Sequence, residues 1–195
     1  FNSTLATTEI YDGNAWGKVS PLTPLITSIS GNIVNTFATT LTINGQNFLT
    51  ANLVVSFTPD GGSATTVTVT PSSDTAATVA VPSAIYGQSA ATVISISVTN
   101  SDGKTSVAQT KTVLAAPSGG TITTSGNFRI HTFNSSSSFV NTIANLSVEY
   151  LVVAGGGGGG GVVSGGGGAG GYRTSVSGQS SGGGASAENA LTLSA

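Results

Sequence analysis

The chain has 195 residues, enough to bury a core in one large or two small domains. Only 6% of them are charged, against roughly 25% in an average soluble domain, so Ser, Thr and Asn clothe the surface, as in extracellular β-rich proteins and unlike cytosolic enzymes. A net charge of −2 with five scattered cations argues against a phosphate-tracking surface, and the lack of cysteine excludes disulfides and thiolate metal sites.

In chain order, residues 1–20 predict a short β-hairpin. Thr4 to Tyr11 and Ala15 to Val19 flank Asp12-Gly13-Asn14, and Asp-Gly between β-branched and aromatic runs favours a tight turn. An isolated hairpin is marginal in water, so Tyr11 and Trp16 are expected to pack on a neighbour. Phe1-Asn-Ser-Thr followed by Glu9-Ile-Tyr-Asp-Gly-Asn-Ala-Trp16 resembles a small repeat of phage fibres. No apolar run approaches the roughly 20 residues that cross a bilayer. The chain starts at Phe1 without a charged-then-apolar leader, and an attachment region is expected before it.

Pro21 and Pro24 punctuate the next boundary. Seven strands are predicted between Leu25 and Val113: Ile26 to Ser30, Thr39 to Asn44, Leu53 to Thr58, Thr65 to Thr70, Ala76 to Val81, Val93 to Thr99 and Ser106 to Val113. Pairs such as Leu41/Ile43, Val55/Phe57, Val67/Val69, Val79/Val81 and the set Ile94/Ile96/Val98 alternate at period two, giving each strand one apolar face. Turn signals at Asn44-Gly45, Asp60-Gly61-Gly62, Pro71 to Asp74 and Asn100 to Gly103 separate them. Short strands at this spacing predict two facing sheets, an immunoglobulin-like sandwich.

Pro24-Leu-Ile-Thr-Ser-Ile29, Leu41-Thr-Ile-Asn-Gly-Gln-Asn-Phe48, Val55-Ser-Phe57, Val81-Pro82 and Val98-Thr-Asn-Ser-Asp-Gly-Lys-Thr-Ser106 resemble the IPT/TIG family of immunoglobulin-like domains. The resemblance implies a spacer or interaction module. Its DNA-contacting branch is disfavoured, because only Lys104 and Lys111 lie in this segment.

Ala115-Ala-Pro117-Ser-Gly-Gly120 reads as a linker to a third region, in which Phe128 to Phe133 and Val148 to Val153 are the clearest strands and Asn134 to Ser138 a loop. From Ala185 to Ala195 the chain is polar enough to fray or continue into further sequence. Between these lies the stretch that demands an explanation: Tyr150-Leu-Val-Val-Ala154, glycines 155–161, Val162-Val163-Ser164, glycines 165–168, Ala169, Gly170, Gly171 and Tyr172. Ordering each backbone there costs on the order of 1–2 kcal/mol.

A flexible linker is one reading. A dinucleotide-binding turn is another, but any seven-glycine run satisfies its pattern, no helix-forming segment follows, and the next acid is Glu188. The third is an ordered scaffold of polyproline-II-type helices, whose backbones can bond to one another only where no side chain intervenes; the first run would span roughly 22 Å. The apolar lead-in and closing Tyr172 favour order, and on this reading Gly158→Val is expected to destabilise the region.

Gly126-Asn-Phe128-Arg-Ile-His-Thr-Phe133, Ser138-Phe139-Val140, Val148-Glu-Tyr-Leu-Val-Val-Ala-Gly-Gly-Gly157 and Gly168-Ala-Gly-Gly-Tyr-Arg173 resemble the glycine-rich domain of bacteriophage tail-fibre and adhesin proteins, over roughly residues 119–184. That resemblance implies a virion-surface protein, homotrimeric, whose glycine segments form a stacked scaffold and whose loops face the host.

Chemistry is thin. His131, the sole histidine, alternates with Arg129 and Phe133 as a structural strand residue does, and the seven acids are isolated, with no pair set for glycan hydrolysis or metal binding. Aromatic and Arg side chains commonly carry recognition energy, so Tyr172 and Arg173 are candidate binding residues. Val162 and Val163 interrupt the glycines and join them; Tyr150 is read as a cap on the scaffold.

The expected fold is all-β: a hairpin over 1–20, a seven-stranded sandwich over 21–116, and over 117–195 a small β region with packed polyglycine-II-like segments. The expected function is a non-enzymatic phage tail fibre that binds a bacterial surface glycan or outer-membrane protein and joins other virion proteins through its N-terminal side, with no cofactor, metal or nucleic acid. A capsid-surface fibre or decoration protein is the alternative, and a glycan-degrading enzyme a third class.

Overall fold

The structure is a computed structural model that describes residues 9–11, 16–18, 22–126, 128–161 and 165–195. It is nearly all β. The chain divides into two compact units, Phe1–Ala116 and Pro117–Ala195.

At the start of the first unit, β1 (Glu9–Tyr11) and β2 (Trp16–Lys18) pair antiparallel, with Tyr11 opposite Trp16. The predicted turn at 12–14 and the side chains of Tyr11 and Trp16 lie outside the described residues.

The remainder of the unit is a two-layer sandwich. One sheet holds β3 (Leu25–Ser30), β5 (Thr40–Gln46) and β8 (Ala76–Ala80) in the order β3-β5-β8. The other holds β4 (Ile33–Val34), β6 (Leu53–Pro59), β7 (Thr65–Val69), β9 (Val93–Thr99) and β10 (Gln109–Leu114) in the order β4-β10-β9-β6-β7. All seven predicted strands are present. Their period-two stripes meet in a single core: Leu41, Ile43 and Val79 from one sheet, Leu53, Val55, Phe57, Ile94, Ile96 and Val98 from the other. Fully burying each such side chain stabilises by about 1.5–3 kcal/mol.

Four details differ from the sequence reading. Asn44-Gly45, predicted as a turn, lies inside β5, where Gly45 faces Ile26; the chain turns later, with Asn47 in the left-handed region at φ 61°. Strand β10 begins at Gln109 and not at Ser106; Ser106 is buried and its Oγ accepts a bond from the Val98 N–H at 3.0 Å. A strand too short for periodicity, β4, pairs parallel with β10. A single helical turn, α1 (Ser83–Tyr86), follows Pro82 and buries Ile85.

Asn100 ties the sandwich's loops together. It is buried at the end of β9; its Oδ1 accepts from the Leu49 N–H at 3.1 Å, and its Nδ2 donates to the Asn47 carbonyl at 2.8 Å.

The second unit is built from paired short strands. After the Pro117–Gly120 approach, β11 (Thr121–Ser125) and β12 (Phe128–Thr132) form a hairpin. His131 Nδ1 lies 2.8 Å from the Gly119 carbonyl, and its ring meets Phe139 edge-on at 4.9 Å, so the histidine is a packing residue. Beyond the polar loop come β13 (Leu146–Val148), β14 (Leu151–Val153) and β15 (Tyr172–Thr174), and then β16 (Leu191–Leu193).

Two expectations are corrected here. The predicted single strand Val148 to Val153 is two strands with different partners: β13 pairs with β16, and β14 with β15. The break comes at Tyr150, whose N–H donates to Ser175 Oγ while the Ser175 N–H donates to the Tyr150 carbonyl. The tail is not frayed, because β16 closes it onto β13 and Asn141 Nδ2 donates to the Ser194 carbonyl at 3.0 Å. Hydrophobic burial in this unit is slight: Ile143 is its one buried large hydrophobic among the described residues.

Candidate functional site

The glycine stretch is a hairpin. At its base β14 and β15 pair Leu151 with Thr174, Val152 with Arg173 and Val153 with Tyr172. The ladder then changes character. Ala154 N–H donates to the Gly171 carbonyl at 2.8 Å, Gly157 to Gly168 at 3.0 Å and Gly160 to Gly165 at 3.3 Å. One bond every third residue on each arm is the repeat of a three-residue-per-turn extended helix, not of a β-ladder. None of the arms' described glycines has φ in the left-handed region.

The arms are therefore an ordered antiparallel pair, and the flexible-linker and dinucleotide readings do not fit them. A pair, not a multilayer stack, is what one chain provides.

Close approach explains part of the glycine content. A Cβ on Gly167 would fall 2.0 Å from the Gly157 carbonyl oxygen, and one on Gly170 1.9 Å from that of Ala154. These two positions, three residues apart, form the inward row of the second arm. Around Gly158 there is nothing within 4 Å, so within one chain a side chain there is accommodated, contrary to the expectation from sequence.

Beside the hairpin base, Glu188 joins two residues that flank the glycines. Tyr150 Oη donates to Glu188 Oε2, and Arg173 Nη1 forms an ion pair with Oε1. The Glu188 N–H donates to the Thr174 carbonyl at 2.8 Å, fixing the acid against β15. The hydrogen bond from Arg173, then that from Tyr150, holds the Glu188 carboxyl below its ordinary value; the bond to Glu188, then desolvation, raises the Tyr150 phenol. An open groove next to this cluster is lined by Glu149, Ser175, Gln179, Ser186, Glu188 and Asn189.

Of the candidate binding residues, Tyr172 is half-buried in β15 and Arg173 keeps 69% of its side chain exposed while paired with Glu188. Val162 and Val163 lie outside the described residues. Sequence reasoning missed Glu188, which sits 15 residues from Arg173 and 38 from Tyr150, so no local spacing points to it. It also missed the exposure of β14, where Leu151, Val152 and Val153 are 57%, 56% and 67% exposed.

Residues directly opposite in an antiparallel ladder share a face, so Val152 lies with Arg173, and Leu151 and Val153 lie with Thr174 and Tyr172. Both faces carry exposed apolar surface. Among the described residues no group of three or more His, Cys, Asp or Glu is placed to hold a metal ion, and no helix is long and apolar enough to cross a membrane. Compared with known proteins, the sequence matches no family model and no curated protein.

Proposed function

We propose that the chain is part of a phage tail fibre or related virion fibre that recognises a bacterial surface by non-covalent contact. The observation that carries this reading is the ordered glycine hairpin with exposed Val152 and Arg173 at its base. Isolated exposed apolar residues are ordinary on protein surfaces; here one face of the ladder sets exposed Val152 beside exposed Arg173 and the other sets exposed Leu151 and Val153 beside Tyr172, so each face joins apolar area to an Arg or an aromatic ring, the side chains that commonly carry recognition energy.

The neighbouring groove adds hydroxyl, amide and carboxylate groups, which suit the hydroxyls of a surface glycan. The sandwich acts as spacer, in keeping with the IPT/TIG resemblance of its sequence. Weak contacts gain strength through copy number on the particle.

The test is binding of the labelled full chain to susceptible bacteria and to isogenic cells lacking the envelope receptor. Saturable binding to the first alone is expected, weakened about tenfold or more (~1.4 kcal/mol) by the double substitution Tyr172→Ala and Arg173→Ala. Equal binding to both strains, or to neither, would defeat the adhesin reading in favour of a capsid fibre or decoration role. Release of reducing sugar from purified envelope polysaccharide would instead indicate an enzyme.

A further inference from the structure

The break between β13 and β14 fixes the position of Glu149. On one side of it Val148 is held in the ladder opposite Leu191; on the other, the Tyr150 N–H donates to Ser175 Oγ at 2.8 Å and the Tyr150 carbonyl accepts the Ser175 N–H at 3.0 Å. Between these anchors the exposed Glu149 side chain lines the groove to which Glu188 also contributes. The segments that supply the rest of the lining are tied down as well. Thr174 N–H donates to Oγ of the buried Ser181 at 3.2 Å, Ser181 N–H to the Ala185 carbonyl at 2.8 Å, and Glu188 N–H to the Thr174 carbonyl at 2.8 Å. A ligand therefore meets a preformed groove and loses little to ordering the protein.

The volume is about 620 Å³, within the range of roughly 300–1,000 Å³ usual for small-molecule sites. Its lining sets apart this groove from most such sites. Apart from alanine it contains no apolar side chain; serine hydroxyls, the amides of Gln179 and Asn189, and the two carboxylates make up its chemistry. Nothing there shelters a lipid chain or an apolar peptide side chain, so the ligand that fits is polar on every side, as a sugar is.

Charge narrows the class further. The lining holds two carboxylates and no cation. Both oxygens of Glu188 are committed, Oε2 to the Tyr150 hydroxyl and Oε1 to the Arg173 guanidinium. The Glu149 carboxylate has neither a hydrogen bond nor an ion pair among the described residues, and it is the one charge in the groove left for a ligand. A glycan carrying carboxylates or phosphates would bring like charge to it. An ammonium group finds its complement there.

We propose that this groove takes a glycan bearing free amino groups, a sugar ammonium pairing with Glu149 while ring hydroxyls bond to the serine and amide groups. The proposal rests on the reading of the chain as a binder of surface glycans and names the chemical class.

Binding of the full chain to oligomers of glucosamine and of glucose, matched in length and linkage, tests it by calorimetry in a slightly acid buffer that keeps the amines charged. The two probes differ only in carrying an ammonium or a hydroxyl group at one carbon of each ring. The glucosamine oligomer is expected to bind roughly fivefold more tightly, about what an exposed ion pair supplies at most, with the preference fading as salt is added. Glu149→Gln is expected to erase the preference with circular dichroism unchanged, and Glu149→Lys to turn it toward an oligogalacturonate. Equal binding of the two oligomers, binding of neither, or a preference that Glu149→Gln retains overturns the proposal. Host recognition is read separately: binding confined to susceptible bacteria together with no amine preference removes the amino-sugar class alone, whereas an amine preference that depends on Glu149 in a chain that binds both strains equally removes host recognition and leaves the groove as a sugar site.

Discussion

Glu188 is the residue on which the hairpin's base depends electrostatically, and its two partners give it a pH signature. Its carboxyl is held low, chiefly by Arg173, so its contribution to stability is fully present above the ordinary glutamate value, about 4.3. That contribution is lost as pH falls through the depressed value in the folded chain. Tyr150 works in the opposite sense. Its raised phenol contributes below the ordinary tyrosine value near about 10 and loses that contribution as pH rises through the folded value.

Glu188→Gln is therefore expected to flatten the acid limb of the second unit's stability and to let the Tyr150 ring titrate closer to its ordinary value by NMR. An unchanged Tyr150 titration in that variant would mean that the Tyr150–Glu188 bond does not persist in solution. No reading of the sequence isolates this cluster, because its members come from three separate segments that only the closure of β15 and the return of the tail bring together. His131, by contrast, is legible: its alternation with Arg129 and Phe133 assigns it to a strand, where the structure places it.

At the scale of elements, the legible features are those with a repeating pattern. Every sandwich strand that alternates apolar and polar residues is readable, because the period itself states which face is buried. What has no room for a pattern is missed: two-residue β4, the single turn of α1, and the division of β13 from β14 by side-chain bonds at Tyr150. Asn44-Gly45 misleads for a physical reason. Glycine signals a turn when positive φ is needed, but Gly45 has none; it is glycine because a Cβ would lie 2.1 Å from the Leu25 carbonyl oxygen and 2.3 Å from the Phe48 ring.

Gly45→Ala is accordingly expected to destabilise the sandwich by about 3 kcal/mol, at the upper end for overpacking a core, measured by urea unfolding. The contacting atoms include backbone of the paired strand β3, which cannot swing aside as a flexible side chain would. A cost within about 0.5 kcal/mol, ordinary for surface substitutions, would show that β3 yields at its bulge between Ile26 and Ser28.

For the whole molecule, the two units differ in what holds them together. The first has a continuous core drawn from both sheets and needs no partner to exclude water from it. The second buries Ile143 and a few bonded polar residues, Thr174, Ser175 and Ser181, and leaves Phe128, Val140 and the whole of β14 exposed. Two-stranded hairpins are marginal in water on their own, and few buried contacts mean low local stability.

That difference separates the units on unfolding. Denaturant unfolding of the full chain is expected to show two transitions, reported by amide exchange at Ile96 for the sandwich and at Gly157 for the hairpin. The Gly157 transition is expected to be the earlier one, because the Gly157 N–H is held by a bond to the Gly168 carbonyl on a two-stranded arm with few buried contacts, whereas Ile96 lies fully buried in the sandwich core. Gly158→Val is expected to leave both transitions within about 0.5 kcal/mol of the parent, as at surface positions, because a Cβ at residue 158 meets nothing within 4 Å. A single coincident transition at both amides would mean that the hairpin does not unfold independently of the sandwich.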